Sequence, residues 1–247
     1  LAGSWARLGA AEADALARLS IFEGSFRLEA AEAVIWQGAL ARLQALRDKS
    51  LLARSGARAR LYAPVRAFAS EQLDAVTKKD ALDRHARFFA HEAAAALARA
   101  AEHDDALDAL ADDAAELALA RAAAALGAPS RALAEAIAEL AVRRGPPSAA
   151  IEALEGIDGA DERRGRALEM LGRIDEAIDA YRRAGPAARV RLAHAELARG
   201  GLEAARAAID AALAEAAPES AARVEALRVR GLIEHARLGV DAQARPG

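Results

Sequence analysis

Cysteine is absent from this sequence of 247 residues, and aromatic side chains make up only 4% of it. Without cysteine the chain has no disulfides and no thiolate metal ligands, which is compatible with the reducing cytoplasm where we expect the protein to act. Long apolar runs are also missing. The longest are alanine tracts such as residues 93–98, far short of the roughly 18 residues of a membrane span. We therefore expect no membrane partner.

Motifs of common catalytic and cofactor sites are missing as well. There is no Gly-x-x-x-x-Gly-Lys-[Ser/Thr] phosphate loop, no His-Glu-x-x-His zinc motif and no Gly-x-Ser-x-Gly nucleophile motif. We expect a protein that is not an enzyme and holds no cofactor. The sequence begins without methionine and without a signal peptide, so we expect a piece of a longer protein. The net charge of −3 does not by itself call for nucleic acid.

Alanine is abundant, together with leucine, glutamate and arginine. Because alanine has the highest helix propensity, the 54% apolar content predicts closely packed helices rather than a sheet sandwich. The stretch 48–73 is the exception, with two short apolar runs on either side of a turn at Ser55-Gly56. Pro64 follows at a position where a helix could begin. We predict a mainly all-α fold with one β-hairpin.

The first 77 residues are predicted to form a small winged-helix domain. Apolar spacing predicts helices over 11–19, 28–35 and 38–47 before the hairpin and over 64–76 after it. The turn between the first two helices carries three core anchors, Ile21, Phe22 and Phe26. Three helices followed by a two-stranded wing describe a winged helix.

Basic residues are concentrated on the third helix and the hairpin of this domain. Between positions 38 and 66 there are seven basic residues and one acid, Asp48. A DNA-binding winged helix carries such charges there, but a solvated face or a face docked on an acidic neighbour is an equal alternative. The candidate nucleic-acid or interdomain face consists of Arg42, Arg47, Lys49, Arg54, Arg58 and Arg60.

Several segments of the first 77 residues match a known sequence pattern. The matching residues are Leu19-Ser20-Ile21-Phe22, Gly24, Phe26, Leu28-Glu29-Ala30-Ala31-Glu32-Ala33-Val34, Lys49-Ser50-Leu51-Leu52 and Val65-Arg66-Ala67-Phe68-Ala69. These segments resemble the winged-helix region of bacterial signal-transduction ATPases of the NB-ARC/STAND class, which include AfsR- and LuxR-type regulators. In that family the segment follows a nucleotide-binding domain and helps to control its open and closed states. The resemblance implies that such a domain lies upstream and is a partner of this chain.

The chain departs from that family at the residues that sense nucleotide. Many members carry Met-His-Asp just before the last helix of the domain, where this sequence has Leu61, Tyr62 and Ala63. Tyr62 stands in place of the nucleotide-contacting histidine. Direct nucleotide sensing is therefore in question, and we expect Tyr62 to pack on the helix bundle instead.

Histidines and acidic residues follow in two predicted helices, 80–100 and 104–126, separated by a break at Glu102-His103. His85 and His91 are six residues apart and do not share a helical face, so packed or exposed histidines are expected rather than metal ligands. The acidic stripe is a solvated face, a site for a cation or basic partner, or a partner of the basic wing. Its members are Asp104, Asp105, Asp108, Asp112 and Asp113.

Residues beyond 130 repeat. In the clearest copy, 165–184, Gly165 and Gly172 are followed by Ala177, Tyr181 and Ala184, which resembles a tetratricopeptide repeat. Small residues let paired helices approach, glycine ends the first helix, and a large residue fills the space beside the next pair. Further copies are marked by Gly145 and Gly200-Gly201, with breaks at Gly185-Pro186 and Ala217-Pro218, and Leu238-Gly239 is predicted to end the next helix.

We assign residues 78–247 to an α-solenoid of tetratricopeptide-like helical hairpins. First-helix side chains of such solenoids line a concave face that holds a peptide or protein. The candidate partner-binding face consists of Glu135, Glu139, Arg143, Glu162, Arg166, Glu169 and His194. The favoured function is a non-catalytic regulatory and interaction module of a signalling ATPase or transcription regulator. The alternative is a DNA-binding winged-helix regulator.

Overall fold

The computed structural model describes residues 2–35, 38–100, 105–124 and 130–243. It divides into two compact units, Leu1–Ile137 and Ala138–Gly247. The described chain is mainly helical, with a two-stranded antiparallel hairpin near its start and paired helices toward its end. This agrees with the predicted fold class.

The first unit begins with four helices and the hairpin. Its elements to the division are α1 Ala2–Trp5, α2 Ala10–Leu19, α3 Leu28–Ile35, α4 Ala39–Asp48, β1 Leu52–Ser55, β2 Arg58–Leu61, α5 Ala63–Ser70, α6 Ala75–Ala100, a 3₁₀ turn Asp108–Asp113 and α7 Ala114–Ala124. Helix α8, Arg131–Arg144, contains the division. The second unit continues with α9 Pro147–Ala153, α10 Asp161–Met170, α11 Ile174–Ala184, a 3₁₀ turn Gly185–Ala188, α12 Arg189–Arg199, α13 Leu202–Glu215 and α14 Ala221–Gln243.

The turn between α2 and α3 anchors the first core as predicted. Ile21, Phe22 and Phe26 are all buried, and the two phenylalanine rings lie 4.4 Å apart between centroids. The backbone of Phe26 also pairs with Ala59, with N–H···O distances of 2.8 and 2.9 Å. This pairing ties the turn to the hairpin, in which Leu52 faces Leu61.

The helix predicted over 64–76 is shorter than expected. Helix α5 ends at Ser70, and α6 begins at Ala75. The reason is Asp74, whose Oδ1 accepts hydrogen bonds from the backbone N–H groups of Val76 and Thr77, both at 2.9 Å. An aspartate in this position satisfies the first amides of a helix and so starts a new one.

The compact units do not follow the predicted division at residues 77 and 78, which lies inside the single helix α6. Contacts explain the difference, because α6 packs on α3 and α7 packs on α6. Arg18 of α2 also binds Asp80 of α6 at 2.7 Å. The helices that follow the hairpin therefore complete the first core rather than begin the second.

The second predicted helix of the histidine and acidic region differs too. Residues 108–113 form a 3₁₀ turn, and α7 begins only at Ala114. The predicted break at Glu102-His103, and Asp104 of the acidic stripe, lie outside the described residues.

Gly165 and Tyr181 form the centre of the second unit. Tyr181 is fully buried, and a Cβ atom on Gly165 would lie 2.4 Å from its ring carbon Cε1. Only glycine therefore lets α10 approach α11 this closely. Gly172, with a φ of +73°, ends α10 in the left-handed conformation that L side chains rarely adopt. The predicted roles of these three residues are confirmed.

The breaks at Gly185-Pro186 and Ala217-Pro218 are confirmed, since α11 ends at Ala184 and α13 at Glu215. The predicted helix end at Leu238-Gly239 is wrong, because α14 continues to Gln243. A glycine inside a helix lowers its stability by about 1 kcal/mol relative to alanine but does not by itself end it.

Candidate functional site

A groove opens in the second unit along α10, α12 and α14. We call it the repeat groove, and it encloses about 560 Å³. Each of the three helices contributes residues from one or two of its turns to the lining of the groove. The lining consists of Glu162, Glu169, Met170, Ala187, Val190, Arg191, His194, Glu225, Arg228 and Val229. The mixture of apolar, acidic and basic side chains suits a peptide better than a uniformly charged ligand.

Glu169 is held in place from beneath the groove. It accepts a hydrogen bond from the hydroxyl of Tyr181, the residue that packs on Gly165. Burial raises the pKa of the Tyr181 phenol well above its usual range, and the hydrogen bond to Glu169 raises it further. The phenol therefore stays protonated and keeps donating, so the packing of the repeat fixes a carboxylate in the groove.

Ion pairs order other charged side chains of the repeat groove. Arg191 of α12 lies 3.3 Å from Glu162 of α10 between Nε and Oε1. Arg228 pairs with Glu225 one turn earlier on α14, at 2.8 Å, and this lowers the pKa of the Glu225 carboxyl. His194 is exposed between these pairs. The repeat groove is therefore lined by side chains of both signs of charge as well as by the apolar Met170.

The residues of the predicted partner-binding face fall into two groups. Glu162, Glu169 and His194 meet in the repeat groove. The others lie outside its described lining: Glu139 is 8% exposed and accepts from Arg166 at 2.8 Å, Glu135 is 8% exposed and accepts from Arg131 at 2.6 Å, and Arg143 is exposed.

Several residues of the repeat groove were missed from the sequence. Met170 is the single methionine of the chain and directly follows Glu169, and its side chain is 55% exposed. The α14 residues Glu225, Arg228 and Val229 were missed although the break at Ala217-Pro218 marks the start of a further first helix. That break was the available signal, because it places α14 in register with α10 and α12.

The candidate basic face of the first unit is only partly exposed. Arg58 donates to Ser25 Oγ at 2.8 Å and binds the buried Asp113. Lys49 pairs with Glu12, and Arg47 lies 3.2 Å from its neighbour Asp48. The remaining members are half-buried Arg42 and exposed Arg54 and Arg60.

One residue of the acidic stripe, Asp113, pairs with the basic hairpin, which was one of the alternatives predicted for the stripe. Besides Arg58 it accepts from Arg27 at 3.3 Å, and its side chain is 1% exposed. Asp105, Asp108 and Asp112 are exposed. In the described part of the stripe, three exposed carboxylates are thus followed along the chain by one buried carboxylate, Asp113.

A second buried carboxylate, Glu116, lies one turn further along. Its Oε1 accepts from the backbone N–H of Gly24 at 2.7 Å, and its Oε2 lies 2.9 Å from Nε2 of His85. His85 is fully buried between the rings of Phe22 and Phe89, whereas the side chain of His91 is 82% exposed. Of the two histidines, which were expected to be packed or exposed, His85 is thus packed and His91 is exposed.

Tyr62 does not pack on the helix bundle as expected. It is 46% exposed and directly precedes α5, where its carbonyl oxygen accepts from the N–H of Arg66 at 2.9 Å. Its backbone is extended (φ −64°, ψ 140°), as is usual for the residue that begins a helix. With this backbone conformation Tyr62 immediately precedes the first turn of α5, and its ring stays at the surface.

Within the described ranges, no three His, Asp or Glu side chains are grouped so as to hold a metal ion. Of the helices in that part of the chain, none combines the length and the apolar character needed to cross a membrane.

Paired helices with a glycine against a tyrosine define a tetratricopeptide-like helical-repeat fold. Among solved structures, the chain is similar to a signal transduction ATPase with numerous domains (STAND) protein with a tetratricopeptide repeat sensor from Pyrococcus horikoshii. The TM-score is 0.59 at 17% identity, over 94% of this chain and 36% of that protein. At this identity the likeness shows the fold alone. No protein-family model matches the sequence, and a search of curated proteins found no match.

Proposed function

We propose that the chain is a non-catalytic regulatory and protein-interaction module of a larger signalling protein. The repeat groove binds a peptide segment of a partner, and the first unit couples this event to a nucleotide-binding domain outside the sequence. The observation that carries the proposal is the repeat groove itself, where three helices place exposed Met170 among ordered charges.

The groove has the features of a peptide site. Met170 offers a flexible apolar contact, of the kind that adapts to different partner side chains. Glu169 is fixed by Tyr181, so a basic side chain of the partner meets a carboxylate that needs little reordering. Solenoids bind peptides in this way, along a surface formed by successive first helices.

The coupling role of the first unit rests on two supports. The resemblance of residues 19–69 to the winged helix of NB-ARC/STAND proteins suggests it, and so does the fold likeness to a STAND protein. The exposed Tyr62 and the absence of a histidine at that position argue that the unit acts through surface contacts rather than by touching nucleotide.

Peptide selection tests the proposal. A random peptide library is selected on the full chain, and enriched peptides are then titrated by calorimetry. We expect micromolar affinity, which corresponds to about −8 kcal/mol. Replacing Met170 and His194 together by glutamate, M170E/H194E, should weaken binding by at least about tenfold, since both side chains face the groove and are exposed.

The matched control is Glu203→Lys on α13, an exposed position outside the lining of the groove. It should leave the affinity unchanged within about twofold. Circular dichroism establishes that each variant is folded. If the selection gives no peptide, or if M170E/H194E binds as tightly as the control, the repeat groove is not the binding site.

A further inference from the structure

The first unit contains a second groove, separate from the repeat groove, between α4 and the hairpin. We call it the hairpin groove. Its lining is Phe26, Leu28, Leu40, Leu43, Gln44, Arg47, Leu52, Ala53, Arg54, Ala57, Arg58 and Ala59. Buried Phe26 and Leu52 form its floor. The hairpin groove is therefore continuous with the core of the unit.

Leu40 is unusually exposed for a leucine on the apolar face of a helix. It shares an apolar face of α4 with Leu43 and Leu46, and Leu46 is fully buried. Leu40 is nevertheless 54% exposed and stands at the edge of the hairpin groove. A large apolar side chain left open beside an apolar cleft marks a surface where another chain can bury it.

The charges around this cleft are of one sign. Among its described lining residues are Arg47, Arg54 and Arg58, and none of the lining residues is acidic. The guanidinium of Arg58 already binds Asp113 and Ser25. It therefore adds to the electrostatic potential of the cleft but does not contact a partner directly. Arg47 and Arg54 are exposed. The Nε of Arg54 donates to the carbonyl oxygen of Gly56 at 2.7 Å and Arg47 pairs with exposed Asp48, so carboxylates of a partner would compete with these two contacts. A partner that complements this rim is negatively charged.

The size of the hairpin groove argues against a small-molecule site. Its volume is about 250 Å³, whereas ligand pockets usually enclose roughly 300–1,000 Å³. A cleft of this size accommodates a few apolar side chains projecting from one face of a helix. Helix-in-groove recognition uses such anchors at positions i, i+3, i+4 and i+7.

Nucleic acid fits the same observations less well. DNA would receive α4 in its major groove and offer phosphates to the arginines, but it would leave Leu40 and the apolar cleft without an apolar partner. The charge of Arg58 is also largely neutralised inside the unit by Asp113. An occupant that is apolar on one face and acidic on the other satisfies both the cleft and its rim.

We infer that the hairpin groove binds an acidic amphipathic helix of a partner protein. One apolar side chain of that helix packs against Leu40 and Leu43, while flanking carboxylates face Arg47 and Arg54. This surface is independent of the repeat groove, so it stands even if the proposed function fails.

The test uses a fluorescein-labelled synthetic helix with leucine at positions i, i+3, i+4 and i+7 and glutamate on its flanks. Fluorescence anisotropy with the full chain should show saturable binding that weakens as salt is raised. The variants Leu40→Gln and R47E/R54E should each weaken it by at least about tenfold. These side chains are exposed, and thermal unfolding shows whether the variants keep their fold.

Three controls decide the interpretation. Arg60→Glu, an exposed arginine of the same hairpin that lies outside the cleft lining, should change the affinity by less than about threefold. A peptide with lysine in place of glutamate, and one with serine in place of leucine, should bind at least about tenfold more weakly. A labelled DNA duplex is titrated in parallel and should not respond to Leu40→Gln.

The inference is overturned by any of three results. The acidic helix fails to bind, the lysine helix binds equally well, or R60E weakens binding as much as R47E/R54E does. Tighter binding of the duplex than of the acidic helix, with loss on R47E/R54E, would assign the surface to nucleic acid instead.

Discussion

The two compact units are stabilised by polar contacts of different range along the chain. In the first unit, buried Asp113 and Glu116 join segments that are 55 and 92 residues apart, through Arg58 and Gly24. In the second, Tyr181 reaches Glu169 over 12 residues, and Arg182 reaches buried Glu196 over 14. The first unit therefore depends on a few distant hydrogen bonds and ion pairs of buried carboxylates, whereas the second is assembled from contacts between neighbouring helices, as expected for a repeat.

Removing a distant anchor should have the largest effect. Asp113→Ala leaves Arg58 without its carboxylate partner, whereas Arg27 keeps its ion pair with Glu92 at 2.9 Å. We expect a loss of about 3–5 kcal/mol in the free energy of unfolding, because one partner of a buried ion pair is left uncompensated. Urea unfolding followed by circular dichroism measures this loss.

The neighbouring Asp112 provides the control for this prediction. Its side chain is exposed, so Asp112→Ala should change the free energy of unfolding by less than about 0.5 kcal/mol. Equal losses for the two variants would show that the distant ion pairs do not hold the first unit together.

A change in a neighbouring-helix contact should have a smaller effect. Gly165→Ala places a Cβ atom 2.4 Å from the ring of Tyr181, which forces α10 and α11 apart. We expect a loss of about 1–3 kcal/mol, typical of an overpacked core. Calorimetric unfolding measures it, and the loss should be confined to the transition of the second unit.

Gly231→Ala is the matched control, since it adds the same methyl group to a helix where nothing lies within 4 Å of the new atom. It should stabilise the second unit by about 0.4–1 kcal/mol, because alanine restricts the unfolded chain more than glycine does. If Gly165→Ala were as favourable as Gly231→Ala, the close approach of α10 and α11 would be contradicted.

The smallest effect concerns the local start of α6. The hydrogen bonds from Thr77 lower the pKa of Asp74 in the folded chain. A carboxyl with a lowered folded pKa contributes stability above its unfolded pKa of about 4, and this contribution is lost as the pH falls through the folded value. Asp74→Asn keeps a capping side chain but cannot titrate, so its stability should fall less between pH 5 and pH 2 than that of the wild type.

Thermal unfolding of the wild type and Asp74→Asn across that range measures the difference. The exposed Asp112→Asn serves as the control, and it should follow the wild-type pH dependence. Parallel curves for the wild type and Asp74→Asn would mean that Asp74 does not titrate with folding.

The two units also differ in how much of their structure could be predicted from the sequence, because their contacts span different distances along the chain. The glycine, alanine and tyrosine spacing of the second unit was readable because each contact joins residues close in the chain. Three of the seven residues of the predicted partner-binding face lie in the repeat groove, because the repeat spacing also identifies the first helices. Glu139 did not reach it, because its nearest cations, Arg163 and Arg166, hold it against α10.

In the first unit, the spacing of apolar residues predicted the helices and the hairpin but not the contacts that join them to α6 and α7. No pattern in the sequence pairs Glu116 with His85 and Gly24, since those contacts exist only after distant segments have met. The boundary predicted at 77 and 78 therefore differs from the division between the compact units, which falls at 137 and 138. Local helix signals do not reveal that α6 and α7 carry the carboxylates on which the preceding turn depends.

Met170 allows the most direct test of the central claim that the repeat groove binds a partner peptide. Since it is the single methionine, labelling with ¹³C-methyl methionine gives one resonance, and that resonance reports from the groove. Adding a selected peptide should shift it in a saturable manner with the dissociation constant found by calorimetry. A peptide that binds by calorimetry but leaves the Met170 methyl resonance unchanged would contradict the account.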